Sequence, residues 1–336
     1  MDSVSKSSKT GKKTVKRSLP MIPESRLAAA AVGEAVMADD HVPLRGYVSR
    51  IFTQVSLPYR DPAPTGTEVN AFIRRNGDLT LTVVPDMRPA DGAEGRLLAA
   101  FPYGKYPRLI LPWLTTQIVL NATARRSDGS LEIDLPESLR GMLNELGFRF
   151  SSSEVREGGR QHVLMREQVQ RLFAASFRVT QRGEDARGEG VRQAQFSIAR
   201  SVQLWWGKDH GDIQDGLWGN SVVVGAEFVE DTLSVPIPID LTAIAALSRF
   251  GPLAMDIYTW MNYRLPLARR TSLVTWELLR RQFGAQYTRE RDFKAAFIKK
   301  LAAAKTMYPH ARITVCDEGV LVAPSDPAVP RRKLTE

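Results

Sequence analysis

Twice along this chain of 336 residues, helical periodicity gives way to a pair of short strand-like segments joined by a polar turn. Apolar residues recur about every 3.6 positions in a helix and every second position in a strand, so a change of period marks a change of element. In the first instance a helix opens at Pro107, a second spans Glu137–Leu146 and is closed by Gly147, and a third spans Gln161–Ala174. Two strands then follow, Phe177–Thr180 and Val191–Val202. In the second instance Leu241–Arg264, broken at Gly251-Pro252, leads to a short strand at Leu273-Val274. Helices Trp276–Phe283 and Arg289–Met307 come next, then a hairpin of Ala311–Val315 and Val320–Ala323. Thr275 and Thr288 are the expected N-caps, and Gly284 and Pro309 the expected stops. Helices followed by a hairpin are the order of a winged helix, and the tandem repeat of that order makes the assignment stronger. The expected fold class is α+β: two tandem winged-helix domains with a disordered basic N-terminal arm.

The boundaries follow from composition. Residues 1–22 are the arm, since residues 1–20 hold six cations (Lys6, Lys9, Lys12, Lys13, Lys16, Arg17) against Asp2, among serines and threonines with nothing to bury. Residues 23–219 are the first winged-helix domain with an N-terminal extension, in which alanine-rich Glu24–Ala38 is expected to be helical and Asn76-Gly77-Asp78 to turn into a strand at Leu79–Val84. Residues 220–240, with alternating Val235-Pro236-Ile237-Pro238, read as an extended connector. Residues 241–325 are the second winged-helix domain and 326–336 a tail.

Several function classes lack their residues. Cys316 is the sole cysteine and the four histidines are scattered, so neither a disulfide nor a cysteine- or histidine-rich zinc site is expected. A single thiol suits a reducing cytoplasm. There is no phosphate-binding loop of the G-x-x-x-x-G-K-[ST] type and no G-x-S-x-G elbow. Glu227, Glu230, Asp231 and Asp240 are the best carboxylate cluster and read as a solvated face rather than a magnesium site. No catalytic residue, metal or cofactor is therefore expected, and the chain is not expected to be an enzyme. The longest apolar stretches are far too short for a membrane span, and the N-terminus lacks the apolar stretch of a secretory signal.

Net charge is +9, and its location matters more than its size. Between Arg264 and Arg312 twelve arginines and lysines face three acids, a net +9 equal to that of the whole chain. Such an organised patch points to nucleic acid. On the helix Arg289–Met307, a period of 100° per residue puts Phe293, Phe297, Leu301, Ala304 and Tyr308 on one stripe. Arg291, Lys294, Ala295, Lys299, Ala302 and Lys305 fall on the other side, where long cations alternate with alanines. Long cations reach phosphates and guanine edges, and small residues let the backbone sink into a major groove. The expected DNA contacts are accordingly Arg289, Arg291, Lys294, Lys299, Lys300 and Lys305, with Arg269, Arg270, Arg280, Arg281 and Arg312 around them. The first unit offers a weaker set: Arg160, Arg166, Arg171 and, at the hairpin tip, Arg187. The tryptophans Trp205, Trp206, Trp218, Trp260 and Trp276 read as core and domain-contact material. The basic arm is open to two readings, a solubilising tail or a nonspecific phosphate-binding arm.

Other segments carry a family resemblance. Phe52-Thr53-Gln54-Val55-Ser56-Leu57-Pro58, Arg74-Arg75-Asn76-Gly77 and Phe101-Pro102-Tyr103-Gly104-Lys105-Tyr106-Pro107-Arg108-Leu109 resemble the plasmid-encoded RepA replication initiators. So do Arg171-Leu172-Phe173-Ala174-Ala175-Ser176, Ala254-Met255-Asp256-Ile257-Tyr258-Thr259-Trp260-Met261, Trp276-Glu277-Leu278-Leu279, Gln282-Phe283-Gly284, Arg291-Asp292-Phe293-Lys294 and Tyr308-Pro309. The resemblance spans about residues 45 to 325 in order. It implies a protein that binds repeated double-stranded DNA at a plasmid origin and recruits host replication initiator and helicase proteins. It further implies copy-number control, with a possible homodimer repressing its own gene, and no membrane partner. The rivals are a winged-helix transcriptional repressor without a replication role and, from another class, a DNA-processing nickase or primase.

Overall fold

The computed structural model describes residues 16–17, 19, 42–63, 70–89, 97–136, 141–142, 145–146, 158–185, 188–204, 220–284 and 286–330. It is a mixed α+β structure whose buried apolar residues, from Val48 to Val322, form a single cluster. The helices expected over Glu24–Ala38 and, for most of its length, Glu137–Leu146 lie outside the described residues, as do Trp205, Trp206 and Trp218.

The chain begins with β1 (Lys16–Arg17), β2 (Arg45–Ser49) and the short helix α1 (Arg50–Gln54). Then come β3 (Phe72–Asn76), β4 (Leu79–Val84), β5 (Asp86–Pro89) and β6 (Leu97–Ala100). Helix α2 (Lys105–Leu120) carries apolar side chains nearly all round, and residues 106–116 are all buried. A helix of that kind can only sit in the interior. Pro112 lies inside it; Thr116 Oγ1 donates to the Pro112 carbonyl and accepts from the Tyr47 amide, tying α2 to β2.

After β7 (Leu131–Asp134), α3 (Gly158–Ala174) turns its predicted stripe of Met165, Val169, Leu172 and Phe173 inward. The expected hairpin is present as β8 (Ser176–Asp185) and β9 (Gly188–Ser197), but the second strand, expected to run to Val202, breaks at Ile198 and continues in another sheet. It does not stand alone, because β4 pairs with β8 and the sheet runs β3-β4-β8-β9. Phe52, Phe177, Phe196 and Phe228 close a ring of contacts, two edge-to-face and two stacked, with ring centroids 5.7–6.2 Å apart.

Residues 220–240 are not an extended connector. They form β11 (Ser221–Val224), α4 (Ala226–Ser234) and β12 (Pro236–Asp240). Strand β11 lies between β10 (Ala199–Gln203) and β7, and β12 pairs with β2. The alternation at Val235–Pro238 thus marks an edge strand, and both of its prolines are tolerated there because, among the described residues, β2 is its only strand neighbour.

The C-terminal part follows the expected order. Helix α5 (Leu241–Leu247) is capped by the Asp240 carboxylate, which accepts from the Thr242 amide at 2.9 Å. A single turn at Ser248–Phe250 and Gly251 separate it from α6 (Pro252–Leu267). Gly251 has φ +92°, a conformation reserved for glycine, and Pro252 restarts the helix at its first turn. Then follow β13 (Ser272–Thr275), α7 (Trp276–Phe283), α8 (Glu290–Thr306), β14 (Ile313–Cys316) and β15 (Gly319–Val322). Thr275 caps α7 as expected, but Arg289, not Thr288, is the N-cap of α8, with no side-chain cap bond. The Thr288 carbonyl is taken by Arg280, and Glu290 and Asp292 supply the negative charge that a helix N-terminus favours.

The expectation of a wholly disordered arm also needs correction. Lys16 and Arg17 pair with Cys316 and Val315, making the sheet β1-β14-β15-β13, and Leu19 packs on the core. Residues 1–15 lie outside the described residues.

Candidate nucleic-acid interface

Helix α8 is held by its aromatic stripe. Phe293 and Phe297 are fully buried, 5.6 Å apart, and Phe297 also meets Phe283 at 5.6 Å and Trp276 at 6.0 Å. Leu301, Ala304 and Tyr308 continue the stripe inward, as the periodicity predicts. Arg291, Ala295 and Lys299 are exposed on the other side. That face is narrower than predicted. Ala302 is buried, and Lys294 is half-buried, its Nζ 2.7 Å from Glu290 and 5.6 Å from the centre of the Trp276 ring. Lys300 donates to the Phe250 carbonyl, fastening α8 to the turn before α6, and Lys305 is half-buried.

The surrounding cations divide similarly. Arg269, Arg270, Arg289 and Arg312 are exposed. Arg281 is exposed and ion-paired with Glu277 at 2.6 Å across one helical turn. Arg280 donates from Nη2 to the carbonyls of Tyr287 and Thr288 at 3.3 and 3.0 Å, and so shapes the turn between α7 and α8.

In the first unit Arg171 is already engaged within the fold. Its guanidinium binds Asp61 at 3.1 Å, Glu167 and the Phe101 carbonyl, and lies 5.3 Å from the Tyr103 ring centre. It serves the fold. Arg166 on α3 is half-buried, the Arg160 side chain is not described, and Arg187 lies outside the described residues. Trp260 and Trp276 are core residues. Of the carboxylates, Asp231 accepts from Ser49 Oγ at 2.7 Å and Asp240 caps α5. Among the described residues no three of His, Cys, Asp and Glu gather as metal ligands would, and no helix is long and apolar enough to cross a membrane.

A cluster that sequence reasoning missed joins the two halves. Arg108 is buried and fully engaged: Nε and Nη2 bind both Asp256 oxygens at 2.7 and 2.9 Å, and the remaining N–H groups reach the carbonyls of Leu57, Pro58 and Gly104. Near it lies Arg74, only 2% exposed, with its guanidinium 5.1 Å from the Phe72 ring centre. Among the described residues, Nε and Nη2 of Arg74 have no hydrogen-bond partner. Burial pushes Arg74 below the usual guanidinium range and Tyr59 above the usual phenol range. Arg74 lines an open groove of about 840 Å³ between the β3–β4 turn and α7, with Arg75, Gly77, Glu277, Arg280, Arg281, Gly284 and Tyr287. The Gln54 carbonyl holds both walls, accepting from Gln282 Nε2 at 2.7 Å and Asn76 Nδ2 at 3.0 Å. The available signal was the paired Arg74-Arg75 before the Asn76-Gly77 turn, since neighbours in a strand point to opposite faces and one of the two cations must turn inward.

The profile of the plasmid-encoded RepA protein family matches residues 101–277, which is more than half of the chain. The chain belongs to the plasmid-encoded RepA family. No curated protein sequence matches it. Among solved structures it is similar to a selenomethionine crystal structure of domains 2 and 3 of RctB, at 12% identity and a TM-score of 0.45, over 80% of this chain and 94% of that one. A second crystal structure of RctB domains 2–3 gives 13% identity and a TM-score of 0.37, over 79% and 86% of the two chains.

Proposed function

We propose that this RepA-family chain is a plasmid replication initiator that binds repeated double-stranded DNA at its origin through two winged-helix units. The carrying observation is the exposed Arg291–Ala295–Lys299 face on a helix set between α7 and the β14–β15 hairpin. In that order α8 is the recognition helix, α7 crosses the backbone, and the hairpin is the wing. The second unit, residues 241–325, dominates base reading; the first, with α3 and the β8–β9 hairpin, adds backbone contacts. Lys16 pairs with Cys316, beside the turn of the wing, so the basic arm is attached where it can supplement an acidic tip, Asp317-Glu318. The chain recruits host replication initiator and helicase proteins, represses its own gene as a homodimer, and has no catalytic activity of its own.

The test begins by sequencing genomic and plasmid fragments retained by the purified protein. Retained fragments should carry direct repeats, and placing them on a vector should support its replication when the protein is supplied. With roughly 6–10 phosphate contacts, the log–log dependence of affinity on salt should have a slope of about −5 to −9. A slope near zero overturns the electrostatic argument. Nicking of supercoiled DNA with magnesium, or primer synthesis, overturns the non-enzymatic reading. Repeats that bind but support no replication favour a repressor.

A further inference from the structure

Among the described residues, Arg74, in the groove between the β3–β4 turn and α7, is the one with two buried side-chain nitrogens that lack a hydrogen-bond partner. A buried donor left without a partner is costly, and a buried cation more so. Arg74 has two such N–H groups, on Nε and Nη2, although it is 2% exposed. Its buried neighbour Arg108 already binds Asp256 bidentately. Arg74 lines a concavity whose rim carries Arg75, Arg280 and Arg281 against one acid, Glu277. Arg75 is exposed, and Arg281 is held by an exposed pair with Glu277, an arrangement that an incoming anion readily displaces. The walls are fixed relative to one another through the Gln54 carbonyl. The site is thus preformed, cationic, open to solvent, and short of acceptors.

We propose that this groove is a clamp for the DNA phosphate backbone, built jointly by the first-unit strand β3 and the second-unit helix α7. The inference rests on the reading of α8 as the recognition helix. Gly284 and Tyr287 also line the groove, and α8 begins three residues beyond Tyr287, so the groove adjoins the start of that helix. Arginine suits the role because its planar fork binds two phosphate oxygens at once. A phosphate drawn between Arg75 and Arg281 meets the exposed rim cations, while Arg74, buried behind them, adds its charge.

Arg75→Ala and Arg281→Ala, both on the exposed rim, should melt as the unaltered protein does. Each should lower affinity for cognate and scrambled duplexes alike, by about eightfold at roughly 0.1 M salt, and reduce the salt slope by about 1. Phosphate-ethylation interference should reveal positions that weaken the unaltered protein and not the double variant. Arg74→Met adds a second readout: it should bind DNA less tightly without losing thermal stability, whereas a guanidinium serving only the fold would lower the melting temperature. Unchanged slopes and an unchanged ethylation pattern in the double variant, with cognate preference still dependent on Arg291, overturn the clamp and leave the recognition helix standing. If the unaltered protein binds no duplex, both readings fall. A poly-glutamate peptide that binds the unaltered protein and not the double variant, while DNA slopes stay the same, assigns the groove to an acidic protein segment instead.

Discussion

Arg291 and Lys299 are exposed on α8, Arg291 with a loose 3.4 Å ion pair to its neighbour Asp292, whereas Lys294 between them leans on Glu290 and Trp276. Arg291→Ala should therefore cost about 1–3 kcal/mol against the cognate duplex and little against a scrambled one, as loss of a base contact does. The check is a competition assay beside a melting curve. Phe297→Ala is the folding control, since truncating a fully buried aromatic costs roughly 3–5 kcal/mol of stability. The hydrogen bond from Lys294 holds the Glu290 carboxyl below its usual range. The pair's contribution is thus present above the ordinary carboxylate range and is lost as pH falls through the folded value. Glu290→Gln should release Lys294 and tighten binding to every duplex alike, seen as a steeper salt slope; equal slopes would mean that Lys294 faces no phosphate. Arg171→Ala should act oppositely to a DNA-contact variant. It strands Asp61 and Glu167 and should lower stability by about 1–3 kcal/mol with an unchanged salt slope in the folded protein. Periodicity revealed which cations share a face of α8. It could not reveal which were already engaged, because Lys300 meets the Phe250 carbonyl and Arg171 meets Asp61 as well as nearby Glu167, and Phe250 and Asp61 lie in distant segments.

Local chemistry set several element boundaries plainly in the sequence: Thr275 caps α7, Gly284 ends it, and Gly251-Pro252 breaks the long helix. Each depends on neighbours within a turn. Gly251 has φ +92° and ψ 171° with open space where a Cβ would stand, so the cost of Gly251→Ala is purely one of backbone conformation. It should amount to roughly 1–3 kcal/mol in a denaturant titration. Gly319 differs. A Cβ there would meet the Val274 carbonyl oxygen at 2.1 Å, so Gly319→Ala should open the β13–β15 edge and destabilise the hairpin itself. Hydrogen exchange at Val320 and Val322 would report it. Illegible elements were those that pair over long distances. The partner of β12 is β2, and the hairpin β8–β9 joins β4, with nothing near either sequence to announce it. Strand register is fixed by burial on a face assembled from remote segments. The connector reading failed for that reason.

At the scale of the whole molecule, the +9 net charge gathered between Arg264 and Arg312 was legible from residue order alone, and so was the family resemblance. The joint between the halves was not, since it depends on Arg108 meeting Asp256 and on both halves sharing one buried cluster. That joint has a consequence for the DNA site. Two reading units on a loose tether would tolerate variable spacing, whereas units sharing a core hold their reading surfaces at one separation. Successive major grooves on one face of a duplex are about 34 Å apart, and tandem units in one chain reach both without a second copy. The protected site should therefore be a direct, non-palindromic repeat of roughly two helical turns, and inserting about five base pairs between its halves should abolish binding by turning one half to the opposite face. Inserting a full turn should also weaken binding, because a shared core cannot stretch to follow it. Footprinting on the spacer series decides. Protection of a single turn, indifferent to every insertion, would mean that only the α8 unit reads DNA and that the first unit serves another partner. A palindromic footprint of matched half-sites would instead assign reading to a dimer of α8 units.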